Sequence, residues 1–140
     1  MSLAFREVQD VNLENVVSLW KTCELTRPWN DPYKDIQFAR DSATSAVLVG
    51  FLEERLVAAV MVGHDGHRGG LYYLAVDPAF QRRGFGKATV AAAEAWLRAR
   101  GVWKINLMVR SENEKAGRFY ERLGYAINPV TSFGKSLDRF

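Results

Sequence analysis

The sequence predicts a mixed α/β fold in a single domain, a mostly antiparallel sheet flanked by helices. Three observations carry this. Two β-branched runs, residues 46–52 and 56–62, are separated only by Glu53-Glu54-Arg55, a hairpin signal. Segments with apolar residues at helical spacing lie on both sides of that hairpin. The 140 residues, 48% of them hydrophobic, show no repeat, low-complexity tract or linker, which suits one core.

The elements follow in order. Residues 3–8 alternate weakly and predict a first strand. Residues 12–25 space Leu13, Val16, Val17 and Trp20 as one helical face, with Asn12 as N-cap. Arg27-Pro28-Trp29-Asn30-Asp31-Pro32 ends that helix and opens another over residues 33–43. After the hairpin, H-D-G-H-R-G-G at residues 64–70 predicts a turn, and residues 71–76 a returning strand. Leu71, Tyr73 and Ala75 fall on one face of it and Tyr72, Leu74 and Val76 on the other. A strand apolar on both faces is expected to be central and covered on both sides. Residues 84–100 predict a helix with a buried stripe of Phe85, Ala88, Ala92, Ala95, Trp96 and Ala99, ended by Gly101. Residues 104–110 alternate and predict a further strand. Residues 113–123 predict a short helix with Ala116, Phe119, Tyr120 and Leu123 on one side and Gly124 beyond it. Residues 130–137 predict the last strand.

The bulk numbers bound the function. The net charge of +3 is mild and the basic residues are dispersed, clustering only at Arg82, Arg83 and Lys87. That pattern suits a small polyanionic ligand and argues against nucleic acid. No apolar run is long enough to span a membrane, and the N-terminus lacks a signal pattern. The single Cys23 fits a reducing compartment, so a cytoplasmic location is expected.

The basic cluster lies in Q-R-R-G-F-G-K, residues 81–87, after the predicted strand and at the mouth of a helix. A dinucleotide loop needs a third glycine where Thr89 stands, and a triphosphate loop needs a first glycine where Gln81 stands. What remains is a turn whose glycines let backbone N–H groups converge on an anion at a helix N-terminus. A strand-to-helix turn with merely solvated charges has the same composition. His64, Asp65 and His67 fall short of a metal ligand set, and no metal is expected.

A second constellation bears on the choice. P-A-F-Q-R-R-G-F-G at residues 78–86 and N-E-K-A-G-R-F-Y-E-R-L-G-Y at residues 113–125 together resemble the two signatures of the GNAT superfamily of acetyl-CoA-dependent N-acetyltransferases. R-P-W-N-D-P at residues 27–32 and D-G-H-R-G at residues 65–69 look like its small YpeA-type bacterial branch. The resemblance implies one GNAT domain whose sheet has six to seven strands, splayed at the centre, with about four helices. It implies acetyl transfer from acetyl-CoA to a primary amine of a small molecule or peptide through a ternary complex, by a monomer or homodimer.

It also implies roles. Backbone amides of Arg82, Arg83, Gly84, Phe85, Gly86 and Lys87, with Gln81, would hold the pyrophosphate. Leu74 and Val76 would pair with pantetheine, as a cofactor-borne β-augmentation. An N–H at Ala75 or Val76 would polarise the thioester carbonyl. Asn113 and Ala116 would meet the pantetheine arm, and Tyr120 would be the general acid for the leaving thiolate. Trp29, Asn30, Tyr33, His67 and Tyr73 would shape the acceptor pocket. Some relatives acting on protein N-termini carry a glutamate base where Met108 stands, so that base is missing here. A non-catalytic acyl-CoA-binding module is the alternative reading.

Overall fold

The structure is a computed structural model that describes residues 2–138. These fall into two compact units, divided between Leu107 and Met108.

The first unit holds four strands: β1 (Ala4–Glu7), β2 (Ser45–Leu52), β3 (Arg55–His64) and β4 (Gly69–Val76). They pair antiparallel in the order β1-β2-β3-β4. Three helices accompany them: α1 (Leu13–Thr22), α2 (Pro32–Arg40) and α3 (Phe85–Arg98). The predicted hairpin forms, with Leu52 opposite Arg55. Asp31 caps α2 by accepting from the Tyr33 and Lys34 N–H groups at 3.0 and 3.3 Å, and Pro32 takes the first helical position.

The core is layered. Val16, Val17, Leu19 and Trp20 of α1 and Ile36 and Ala39 of α2 pack with Val47, Val49, Phe51, Ala59 and Ala75. Across the sheet lie Val60, Val62 and Leu71, with α3 outside them. There a Cβ on Gly69 would stand 2.7 Å from Leu97 Cδ1. β2 and β3 are therefore the strands buried on both faces.

Four expectations are corrected. The sheet has four strands among the described residues, not six or seven. Residues 104–110 contribute only a parallel bridge from Ile105 to Gly69, made by Gly69 N–H to Lys104 O at 2.8 Å and Asn106 N–H to Gly69 O at 2.9 Å. Residues 130–137 form no strand and lie exposed, Phe133 included. Alternation marks a segment able to be a strand, but a strand exists only where a partner accepts its ladder.

Second, β4 is not central but stands at the open end of the four-strand order. Third, its faces differ from strict alternation. Ala59 pairs with Ala75 and Met61 with Tyr72, so Tyr73 and Leu74 together oppose Val60 in a bulge. Tyr73 has φ 57°, and the bulge sets it and Ala75 against the α1/α2 cluster, while Leu71 pairs with Val62 on the α3 face. Fourth, the buried stripe of α3 is Phe85, Thr89, Val90, Ala93 and Leu97; Ala95 and Ala99 are exposed. Alanine marks a face weakly, and the larger Val90 and Leu97 set the rotation.

The second unit holds α4 (Glu114–Arg122). Asn113 caps it, its side chain accepting from Ala116 N–H at 3.1 Å. Ala116, Phe119, Tyr120 and Leu123 form its half-buried face as expected. No helix of the described residues is long and apolar enough to cross a membrane.

Candidate active site

The segment from β4 to α3 is built around backbone amides. Asp77 caps a single 3-10 turn, Pro78–Phe80, accepting from Ala79 N–H at 2.9 Å and pairing with Arg55 at 3.3 Å. The chain then takes left-handed conformations at Arg82, φ 66°, and at Gly84, φ 79°. A Cβ on Gly84 would meet nothing within 4 Å, so the demand for glycine there is conformational rather than steric. Gly84 is the N-cap of α3, and Ala88 N–H donates to its carbonyl at 3.0 Å. The N–H groups of the turn before Ala88 have no carbonyl to serve within the helix, and the helix dipole adds partial positive charge there. Arg82, Arg83 and Lys87 are exposed around them, and Arg83 lies 5.2 Å over the Phe80 ring.

Upstream of this turn β4 presents its outer edge. Asp77 N–H donates to Val57 O at 2.8 Å and Val76 stands opposite Ala58. The alternation of antiparallel pairing therefore turns the N–H and C=O of Val76 away from β3 and the N–H of Ala75 toward it. The Val76 carbonyl is engaged by this chain: it accepts from the Gln81 side-chain amide at 3.1 Å and the Cys23 thiol at 3.4 Å. Burial, and secondarily the Asp77 charge, hold that thiol above its ordinary range, so it remains a neutral donor. Sequence reasoning missed Cys23 here, and no local pattern marks it.

A polar group sits on the inner side of the bulge. Tyr73 stacks on Trp20 with ring centroids 4.0 Å apart and planes 11° from parallel. Its hydroxyl donates to Asp35 Oδ2 at 2.7 Å. Burial first, then the Asp35 hydrogen bond and charge, push the Tyr73 phenol far above its ordinary value, while the Asn30 side chain opposes the shift. Tyr33 donates to Glu14 at 3.0 Å, and Trp29 is 66% exposed.

Of the residues expected to form an acceptor pocket, the structure thus groups Asn30 with Tyr73. It adds Asp35, which the sequence did not single out. His67 does not join them: it is exposed in the β3–β4 turn, its N–H donating to Asp65 at 2.8 Å. Tyr73 lies four strand residues beyond Gly69, roughly 13 Å of extended chain. His64 accepts from Gly66 N–H at 3.0 Å, and Asp65 also accepts from Arg68 N–H, so these groups shape the turn.

In the second unit, Tyr120 lies edge-on between Phe119 and Tyr125, with centroids 5.1 and 5.6 Å away. Burial pushes its phenol up to about 12, so it stays protonated at physiological pH. Met108 is exposed, its sulfur accepting from the Ser132 hydroxyl at 3.3 Å.

Known proteins were compared with this chain. The family model described as "Acetyltransferase (GNAT) family" matches residues 13–125. An acetyltransferase of Yersinia enterocolitica is 41% identical over 135 residues, 96% of each chain. Among solved structures, aminoglycoside acetyltransferase AAC(6')-Iy, in complex with a bisubstrate analogue of CoA and acetylneamine, has a TM-score of 0.82. It is 17% identical over 97% of this chain and 99% of that one. An aminoglycoside acetyltransferase from a soil metagenomic sample, in complex with sisomicin, has a TM-score of 0.78 at 19% identity. That match covers 96% of both chains. At such identities these two likenesses show the fold alone.

Proposed function

The chain belongs to the acetyltransferase (GNAT) family and is an acyltransferase; from that premise we propose that it transfers acetyl from acetyl-CoA to a primary amine of a small molecule or peptide. One observation carries the reading best. The outer edge of β4, where Val76 N–H points, leads through the single turn Pro78–Phe80 to the glycine-bearing turn at Arg82 to Lys87. An extended ligand ending in a pyrophosphate needs that sequence of partners, donors along a strand edge and then a helix N-terminus.

The residues fit such a co-substrate. The amides of residues 82–87 would hold its pyrophosphate, with Arg82, Arg83 and Lys87 adding charge. Between the two N–H groups considered for the thioester carbonyl, Val76 faces the open edge and Ala75 faces β3, so Val76 takes the role. The Val76 carbonyl is already engaged and its N–H goes to the thioester carbonyl, so the pairing with pantetheine falls to Leu74, two residues back along the strand. Acetyl-CoA supplies an acetyl group activated as a thioester. Tyr120 donates a proton to the departing sulfur, and burial keeps it protonated for that task. Asn113 spends its side-chain oxygen on the α4 cap, so its NH2 is the group left for the pantetheine arm.

The match across residues 13–125 spans both compact units and supports one catalytic domain. The motifs at residues 27–32 and 65–69 support the YpeA-type branch. Two structural neighbours are named as aminoglycoside acetyltransferases, so amino sugars head the acceptors to be tried. The test is thiol release from acetyl-CoA across a panel of amino sugars, polyamines and peptide amines. Acceleration by at least one amine is expected. Binding of acetyl-CoA with no acceleration by any amine would defeat the reading.

A further inference from the structure

An amine that attacks a thioester must shed a proton, and the glutamate that does this in some relatives is replaced by Met108. The first unit holds another candidate. We propose that Asp35, acting through the Tyr73 hydroxyl, receives that proton; this rests on the acetyl-transfer reading above.

Position supports it. Tyr73 is the bulged residue of β4, three residues before Val76, so it belongs to the strand that would carry the thioester. The left-handed φ of 57° is a conformation that a tyrosine rarely adopts, and here it sets the ring against Trp20 at 4.0 Å. The hydroxyl is held by Asp35 at 2.7 Å, short and charge-assisted. A phenol that donates to a carboxylate keeps oxygen lone pairs with which to accept from an incoming amine. The charged and polar groups around it are few: Asp35 and the more distant Asp31 from the α2 end, and Asn30 just before it. Asp31 is occupied as the helix cap, and Glu14 of α1 is held by Tyr33, which leaves Asp35 as the carboxylate in contact with the phenol. Its backbone is anchored, because α2 buries the next residue, Ile36, and Ala39 one turn further on.

The step balances. The nitrogen lone pair of the neutral amine forms the N–C bond, and the C–S bond breaks with its electron pair on sulfur. The nitrogen gives one proton to the Tyr73 oxygen as Tyr73 passes its own to Asp35. Sulfur takes the proton of Tyr120. Water then returns a proton to Tyr120 and removes one from Asp35. Tyr73 thus touches the reacting nitrogen, and Asp35 acts through it as a positioning and proton-accepting residue.

The experiment uses the full chain, acetyl-CoA and the fastest amine of the panel. Asp35→Asn keeps the hydrogen bond to Tyr73 but cannot take a proton, and Tyr73→Phe removes the relay. Each is expected to lower kcat by about 10²-fold or more, with the acetyl-CoA KM unchanged. Because the two act as one unit, the double variant should be no slower than the worse single one. Formate should restore part of the rate to Asp35→Ala, an effect that a purely structural role would not produce. If Asp35→Asn does not fold, Tyr73→Phe and formate rescue of Asp35→Ala decide. Full activity in either single variant, additive losses or absent rescue overturns the relay while acetyl transfer stands. Wild-type protein that accelerates no amine overturns both.

Discussion

Gly84→Ala tests the anion turn most sharply, because its two effects have separate origins. At φ 79° and ψ 9° an added Cβ meets no neighbour, so the whole cost is conformational. Holding alanine in the left-handed region costs about 1–2 kcal/mol. With an unfolding entropy of about 2.1 cal/mol/K per residue over 140 residues, that lowers Tm by roughly 3–7 °C. If the turn relaxes instead, the amides of Phe85 to Lys87 rotate away from their common focus. Losing one charge-assisted bond of about 1.5–3 kcal/mol would weaken coenzyme A binding by about 10- to 150-fold. The assay is thermal denaturation with and without coenzyme A, beside calorimetric titration. Gly84→Asn, which tolerates the left-handed region better, should lose less on both measures. Unchanged Tm and unchanged affinity in Gly84→Ala would refute both the strained cap and the amide site.

Three further variants have expected outcomes. Tyr120→Phe should lower kcat by about 10²-fold while coenzyme A binding, read by calorimetry, is unchanged. Burial raises the Tyr120 phenol from 10.0 to about 12, so the folded state holds that proton more tightly than the unfolded chain. The stability linked to it is therefore whole below pH 10 and lost as pH rises toward 12, and alkaline denaturation of Tyr120→Phe should lack that component. Gly69→Ala puts a Cβ 2.7 Å from Leu97 Cδ1 in a buried layer and should cost about 1–3 kcal/mol in denaturant titration. Asp31→Ala removes the acceptor for two amides of α2 and should cost about 0.5–2 kcal/mol, also slowing catalysis if α2 positions Asp35.

Local order in this chain could be read from residues; pairing could not. The hairpin of β2 and β3 and the Pro32 start of α2 follow from turn and helix-start chemistry within a few residues. Residues 104–110 alternate as a strand would, yet they and the expected last strand at residues 130–137 form no ladder, since a strand is a property of two segments. The bulge at Tyr73 defeats period-two reasoning because one extra residue exchanges the faces beyond it. The turn before α3 could be expected from its glycines, one of which, Gly84, takes the left-handed conformation. Cys23 and Asp35 could not, since each acts across 53 and 38 residues of chain, respectively, on a group with no sequence mark.

The open edge of β4 sharpens what each residue there can do. A bare strand edge offers alternating donors and acceptors and invites a second chain to pair. At Val76 this edge offers its donor, while Cys23 and Gln81 occupy the acceptor. A foreign strand would find half its ladder refused at this residue, whereas a ligand that brings a carbonyl needs only the N–H. The Gln81 amide is thereby turned toward the protein, although its neighbours Arg82 and Arg83 face outward. Gln81→Leu should therefore weaken coenzyme A binding by less than about threefold, a loss within the usual effect of a surface substitution. It should leave the Gly84→Ala loss larger by comparison in the same titration. A Gln81→Leu loss equal to that of Gly84→Ala would mean that the side chain holds the ligand instead of the Val76 carbonyl.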